Sequence, residues 1–250
     1  MKVITEEYLR TLFKKNIPKE YKINKKAIIT PSARQYLKER DVKLLIEEGE
    51  STSINQIVKR DQIIPIEASG RHIHLSKKDI EILFGKNYEM LVNKELSQPG
   101  QFQYEEKVSL IGPKSIIKNV SILGPPRDKT QVEISRTDAI NLGINAPIKE
   151  SGDLDGTANI FVATEKAVIK VNESVIIAKR HIHMSPEDAI KFNVKNRDIV
   201  SVKINSNRPV IFQDVLVRVN KNYRLSMHID YDEANAAGLE DGVMGVIVWI

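Results

Sequence analysis

RHIHLS at residues 71–76 returns as RHIHMS at residues 180–185, and the register continues without a gap through Asp79 and Asp188. A second match runs at a shorter offset. NVSILGPPRDKTQVEISRTDAINLGI (119–144) aligns without gaps to DVLVRVNKNYRLSMHIDYDEANAAGL (214–239). Gly143 meets Gly238 there, Ala139 meets Ala234, Ile134 meets Ile229, and Glu133 falls opposite His228. The offset drops from 109 to 95, so the first copy carries 14 extra residues, around LSQPGQFQYEE at 96–106. Two related units fused in tandem is the simplest account of this pattern.

The text around these motifs is a series of short β-rich runs: IIPIEA, KVSLIG, NVSILG, AVIKV, SVIIA, IVSVKI, PVIF, DVLVRV and VMGVIVWI. Gly, Pro or Asn punctuates most of them, and short helical patterns follow Ser76 and Ser185. Many short strands with few helices favour barrels or sandwiches over a parallel α/β sheet. The first 60 residues read differently. Thr5 can cap a helix whose first turn carries Glu6 and Glu7, with Leu9, Leu12 and Phe13 at helical spacing. Thr30-Pro31 marks a second helix start, with Ala33, Tyr36 and Leu37 following. Residues 48–60 read as a linker. The expected fold is mainly β, with two related units capped by short helices and a helical N-terminal extension.

At 250 residues and 41% hydrophobic, the chain can bury a core of one or two domains. No apolar run approaches the roughly 20 residues that span a bilayer, and MKVITEEYLRTLFKK lacks the features of a secretory signal. A cytoplasmic protein with no membrane partner is the expectation. Zero cysteines exclude disulfides, thiolate ligands and a thiol nucleophile. The net charge of +5 is not spread evenly. Residues 1–60 hold 14 Lys+Arg against 8 Asp+Glu, and the remainder holds 24 against 25. A near-neutral body argues against nucleic acid as a partner.

The five histidines are His72, His74, His181, His183 and His228, and all lie in the repeated motifs. On an extended backbone, residues i and i+2 point the same way, so each His-Ile-His presents two imidazoles together and turns its Ile aside. The aligned third position supplies Glu133 in one copy and His228 in the other. His, His plus Glu, and His, His plus His, are three-protein-ligand sets that leave a coordination position open for substrate. Imidazole-rich sets without thiolate suit zinc, with cobalt, nickel or iron as alternatives. Asp79, Asp188 and Asp230 are candidates to orient the imidazoles, or else are helix caps or surface charges.

GRHIHLS, LSQPGQF, TQVEISRTDA, ESGDLDGT, KRHIHMSPEDA and MHIDYDEANAAGL closely resemble the phosphate propanoyltransferase family of bacterial microcompartments, over about residues 63–250. The resemblance implies two β-barrels, made of 61–70 with 179–250 and of 71–178, after an N-terminal extension at 1–60. It also implies two zinc ions per chain, held by His72, His74 and Glu133 and by His181, His183 and His228. The implied reaction converts acyl-CoA plus phosphate to acyl phosphate plus CoA. The family's phosphate-binding arginine falls on Arg127, and its coenzyme A contacts fall on Ser69, Lys94, Leu123 and Asn235. An arginine common before the V-L-G-P run is Ser121 here, so one phosphate contact to coenzyme A is either missing or supplied by another residue. A homodimer is expected. Residues 5–15 are read as a short amphipathic helix that either contacts microcompartment shell proteins or docks on the barrels. Residues 28–50, around AIITPSARQYLKER (27–40), resemble a segment of microcompartment cobalamin adenosyltransferases.

Arginine holds phosphate in a planar, two-pronged way that lysine does not. Without cysteine, an acyl-thioenzyme is ruled out, so direct attack by bound phosphate is the economical route. Two rivals remain at this level: a dinuclear metallohydrolase using the same ligands on water, and a structural zinc double barrel binding nucleic acid through its basic N-terminus.

Overall fold

The computed structural model describes residues 3–14, 17–24, 27–47 and 62–249; the linker read at 48–60 lies outside the described residues. The chain divides into two compact units, Met1–Ile57 and Val58–Ile250.

The first unit alternates short strands and helices: β1 (Val3–Ile4), α1 (Glu6–Leu12), β2 (Glu20–Asn24), β3 (Ile28–Ile29), α2 (Pro31–Lys38) and β4 (Lys43–Glu47). Both helices begin where the sequence places them. Thr5 accepts from the Tyr8 amide and Thr30 from the Ala33 amide, which satisfies one orphan donor at each helix start. The extension is not helical alone, because β1 pairs parallel with β3 and β2 with β4. Charge-rich strands such as KLLIE carry too little apolar alternation to read as strands. Leu9, Ala33 and Leu37, almost wholly buried, join Ile4, Phe13, Ile23 and Tyr36 in a core belonging to this unit.

The second unit opens with β5 (Ile64–Ala68), β6 (His72–Ser76), α3 (Lys77–Phe84), β7 (Val92–Glu95), β8 (Phe102–Ile111) and β9 (Ile116–Arg127). It continues through β10 (Gln131–Glu133), α4 (Arg136–Leu142), β11 (Ile148–Lys149), β12 (Ala158–Ala163) and β13 (Val168–Ala178). It ends with β14 (His181–Met184), α5 (Pro186–Phe192), β15 (Ile199–Asn205), β16 (Ile211–Val219), β17 (Ser226–Ile229), α6 (Tyr231–Ala237) and β18 (Met244–Val248). The pairing order β10-β6-β9-β8-β12-β13 closes on itself through β10 and β13. A second closed barrel runs β14-β16-β15-β18-β5-β17. The protein is therefore mainly β, with two six-stranded barrels and short helices. Closure leaves the barrel strands without open edges. Leu75, Leu110 and Ile122 fill the central barrel, and Ile64, Ile182 and Met184 fill the C-terminal one. Each such buried side chain contributes about 1.5–3 kcal/mol.

Three positive-φ residues mark bulges within longer strands. Asn119 and Asp214 stand at aligned positions in β9 and β16, with φ of 58° and 54°. Glu173, with φ of 45°, likewise joins the runs AVIKV and SVIIA into β13. Positive φ is tolerated best by Asn and Asp among non-glycine residues. Gly143 and Gly238, also aligned, end α4 and α6 in the left-handed conformation that such helix ends demand.

One local pattern occurs four times. Ser76, Ser135, Ser185 and Asp230 each cap a helix, and each lies two residues beyond a candidate ligand: His74, Glu133, His183 and His228. The strand carrying the ligand thus runs straight into a helix start whose side-chain cap fixes its last residues.

Candidate metal centre and substrate cavity

Cross-strand pairing assembles the ligands. β6 lies antiparallel to β10 with His72 opposite Glu133, and β14 lies antiparallel to β17 with His181 opposite His228. Opposed residues in such ladders stand about 4.5–5.5 Å apart at Cα, so side chains on the shared face meet. One potential ligand atom from each of His72, His74 and Glu133 lies within 4.8 Å of the others, and the same holds for His181, His183 and His228. Both triads are buried, apart from a partly exposed His228. Both line one cavity of about 570 Å³.

The tautomers of two rings are fixed by backbone. Nδ1 of His72 lies 2.8 Å from the Gly70 carbonyl oxygen, and Nδ1 of His181 lies 2.8 Å from that of Lys179. Each Nδ1–H therefore donates to a carbonyl and leaves Nε2 as the free lone pair, an arrangement common for metal-ligating histidines. The aspartates have other work. Asp230 and Asp188 belong to capping boxes, and Asp79 accepts from the Thr130 hydroxyl.

The residues fit a divalent ion by three tests. Nδ1 of His183 is buried without a hydrogen-bond partner, a costly state for a nitrogen serving packing alone. Burial, then His181 and His228, push His183 down to about 2, and burial, then His181, push His228 to about 3, so these rings are neutral as ligands must be. In the other set, burial opposes the charge on His72 and on Glu133, yet their mutual attraction at 3.6 Å prevails. It raises His72 and holds Glu133 well below the usual carboxylate range. A dry anionic carboxylate beside two imidazoles is a donor set that a cation satisfies.

Arg127, at the end of β9, reaches this cluster. Its Nη2 lies 2.8 Å from His74 Nε2 and its Nη1 donates to Ser151 Oγ at 3.1 Å. Burial lowers its pKa, with Arg218 adding to the effect. An anion held by Arg127 would sit against the first triad. Ser69, Lys94 and Leu123 also line the cavity, whereas Asn235 does not. Asn235 is exposed on α6, where its carbonyl accepts from Arg208. Ser121, where an arginine was expected, lines the cavity and accepts from Lys107 Nζ at 3.1 Å.

Sequence reasoning did not single out Glu67, Gln98, Ser151, Arg218 or Tyr223, all of which line the same cavity. Ser151 donates to Glu133 at 2.7 Å, and Gln131 holds both of them. The Tyr223 ring centroid lies 4.2 Å from that of His183, with the Arg218 guanidinium 5.9 Å from the tyrosine centroid. Arg218 had a usable signal, because it aligns with Leu123.

The model of the family described as phosphate propanoyltransferase matches residues 65–240. A relative of that name from Alkaliphilus metalliredigens is 52% identical over 212 residues, covering 85% of this chain and all of the relative. One from Clostridioides difficile is 50% identical, covering 76% and 91% respectively, and one from Listeria monocytogenes is 52% identical, covering 74% and 87%. A match spanning both barrels, with half of the residues identical over nearly the full length of the relatives, means that the chain belongs to the phosphate propanoyltransferase family.

Proposed function

We propose that the protein interconverts a short-chain acyl-CoA plus phosphate with the acyl phosphate plus CoA, at a site built for two zinc ions. The observation that carries this reading is the single cavity joining both triads to Arg127. His72, His74 and Glu133 would hold one ion, and His181, His183 and His228 the other. When bound, zinc supplies Lewis-acid stabilisation for charge on the thioester carbonyl oxygen and on the departing sulfur.

The chain's own residues bind and orient. Arg127 clamps phosphate, and Ser151 holds the guanidinium at 3.1 Å. A phosphate oxygen attacks the thioester carbonyl carbon, the C–S bond breaks, and CoA leaves as the thiolate. No cysteine is present to form an acyl-thioenzyme. Holding two reactants in line and neutralising charge are the main tasks left to the protein. Ser69, Lys94 and Leu123 would contact CoA at the cavity, and Asn235 the part extending beyond it. Both acetyl and propanoyl groups are proposed as substrates, since one methylene alters binding by only about 1–3 kcal/mol.

Incubating zinc-replete protein with CoA and propanoyl or acetyl phosphate should form thioester, lose that turnover on chelation and recover it with zinc. Absence of thioester from either acyl phosphate, in protein shown to carry zinc, overturns the transacylase reading. Hydrolysis of acyl-CoA without phosphate would put the hydrolase in its place.

We further propose three domains: 1–60, 61–70 with 179–250, and 71–178. The strand membership of the barrels supports the last two, and their aligned motifs support descent from one repeated unit. No described helix is long and apolar enough to cross a membrane. The N-terminal domain is proposed to bind microcompartment shell proteins and carry the enzyme into the lumen, as a homodimer. Its own core supports an independent docking role. Removing residues 1–57 should abolish co-sedimentation with shells while leaving turnover and zinc content intact. Lost activity with intact co-sedimentation refutes the assignment.

A further inference from the structure

Glu133 and His228 occupy aligned positions, yet their supports come from different places. Glu133 is held from within its own barrel. Gln131, two residues before it, donates to Glu133 Oε1 and to Ser151 Oγ, and its Oε1 accepts from the Gly152 amide at 2.8 Å. The residue aligned with Gln131 is Ser226. Its hydroxyl lies 2.8 Å from His228 Nε2, but serine is too short to also reach a backbone amide as Gln131 does.

Gln98 supplies the missing carboxamide from the other barrel. It lies between β7 and β8, in the segment by which the first copy exceeds the second. The residue is 2% exposed. Nε2 donates to Ser226 Oγ and to the Arg224 carbonyl, both at 2.9 Å, while Oε1 accepts from the Arg224 amide at 3.2 Å. The carboxamide thus does for Ser226 what that of Gln131 does for Ser151, touching a serine hydroxyl and a backbone N–H. The preceding residue grips the opposite side. Ser97 Oγ donates to Glu67 Oε2 at 2.5 Å, and the same oxygen lies 3.7 Å from His228 Nε2. Register places Glu67 beside His228 across β5 and β17.

We infer that Gln98 is a positioning residue: through Ser226 it fixes the His228 ring and locks one barrel's triad to the other barrel's loop. A buried side-chain amide satisfied by three partners across two barrels has one low-energy placement. The ring it supports therefore has one placement too. The 14 extra residues of the first copy become, on this view, the device that completes the second copy's triad.

The inference rests on zinc being held by both triads, so the test follows the ions rather than turnover. Full-length protein carrying two zinc ions is mixed with a chromogenic chelator and release is timed. Gln98→Ala should speed the release of one ion of the two by about 10–100-fold, the usual cost of removing an outer support of a ligand. Adding Ser226→Gln to Gln98→Ala rebuilds the Gln131 arrangement in place and should return release towards the wild-type rate. Gln98→Glu keeps the size of the side chain, lacks the donor, and should release the same single ion faster. Unchanged release in both single variants overturns the inference. Equal acceleration of both ions, unrelieved by Ser226→Gln, does so as well, because it marks general loosening. Wild-type protein that holds fewer than two zinc ions overturns the metal reading, and this inference with it.

Discussion

Alanine at His183 is expected to halve the zinc content, from two ions per chain to one, and to cut turnover by at least about 10³-fold. His183 belongs to a triad of neutral imidazoles whose ring centroids lie 4.6–5.4 Å apart. Two remaining nitrogens make a poor site where three made an open one. Lewis-acid stabilisation of transition-state charge is worth several kcal/mol, and each 1.36 kcal/mol is a factor of ten in rate. His74→Ala should remove the other ion and cost as much, a result that would mark the triads as acting together and not as one site with a spare. Folding should survive both changes, because His183 Nδ1 has no hydrogen-bond partner to lose, the contact of His74 Nε2 with Arg127 lies outside the strand ladders, and the barrels close through backbone pairing. Metal analysis, far-ultraviolet circular dichroism and thioester formation check the three parts of this result. Two ions retained in a folded His183→Ala protein would remove His183 from the ligand set.

The same triads show how much of the site is legible in the sequence. Period-two alternation reveals which imidazoles share a face, since a strand can point His72 and His74 only one way while Ile73 enters the core. The Glu133–His228 correspondence needs nothing beyond gapless alignment. Residues that contact ligands across the cavity lack such a signal. Gln98 and Ser226 are 128 positions apart, and only the packing of one barrel's loop against the other barrel brings them together. Polar loop residues also carry no periodicity to mark them. The N-terminal strands escape for a different reason: EYKIN and KLLIE alternate poorly, and their pairing partners lie 23 residues away. Strands β13 and β16 read as two runs each because a positive-φ residue looks like a turn until both flanks are seen in one ladder.

Arg127→Ala is expected to leave both zinc ions in place and still lower kcat/KM by about 10²–10³-fold, the range for removing one preorganised donor to developing charge. The two halves of this result separate Arg127 from the ligands it touches. It bonds His74 Nε2 and Ser151 Oγ, but Glu133 keeps its own bonds from Ser151 and Gln131 when the guanidinium is gone. The triad therefore has no reason to collapse. What disappears is the cation that, on the proposed function, would face the phosphoryl oxygens. The loss should appear as poor saturation by phosphate in one direction and by acyl phosphate in the other, with CoA saturation little changed. Arg127→Lys should recover only part of the rate, because an ammonium offers a point charge where the guanidinium offers a planar fork. Unchanged phosphate saturation in Arg127→Ala would transfer the anion-binding role elsewhere. Arg218 is then the residue to replace, since it lines the same cavity and its charge already acts on Arg127.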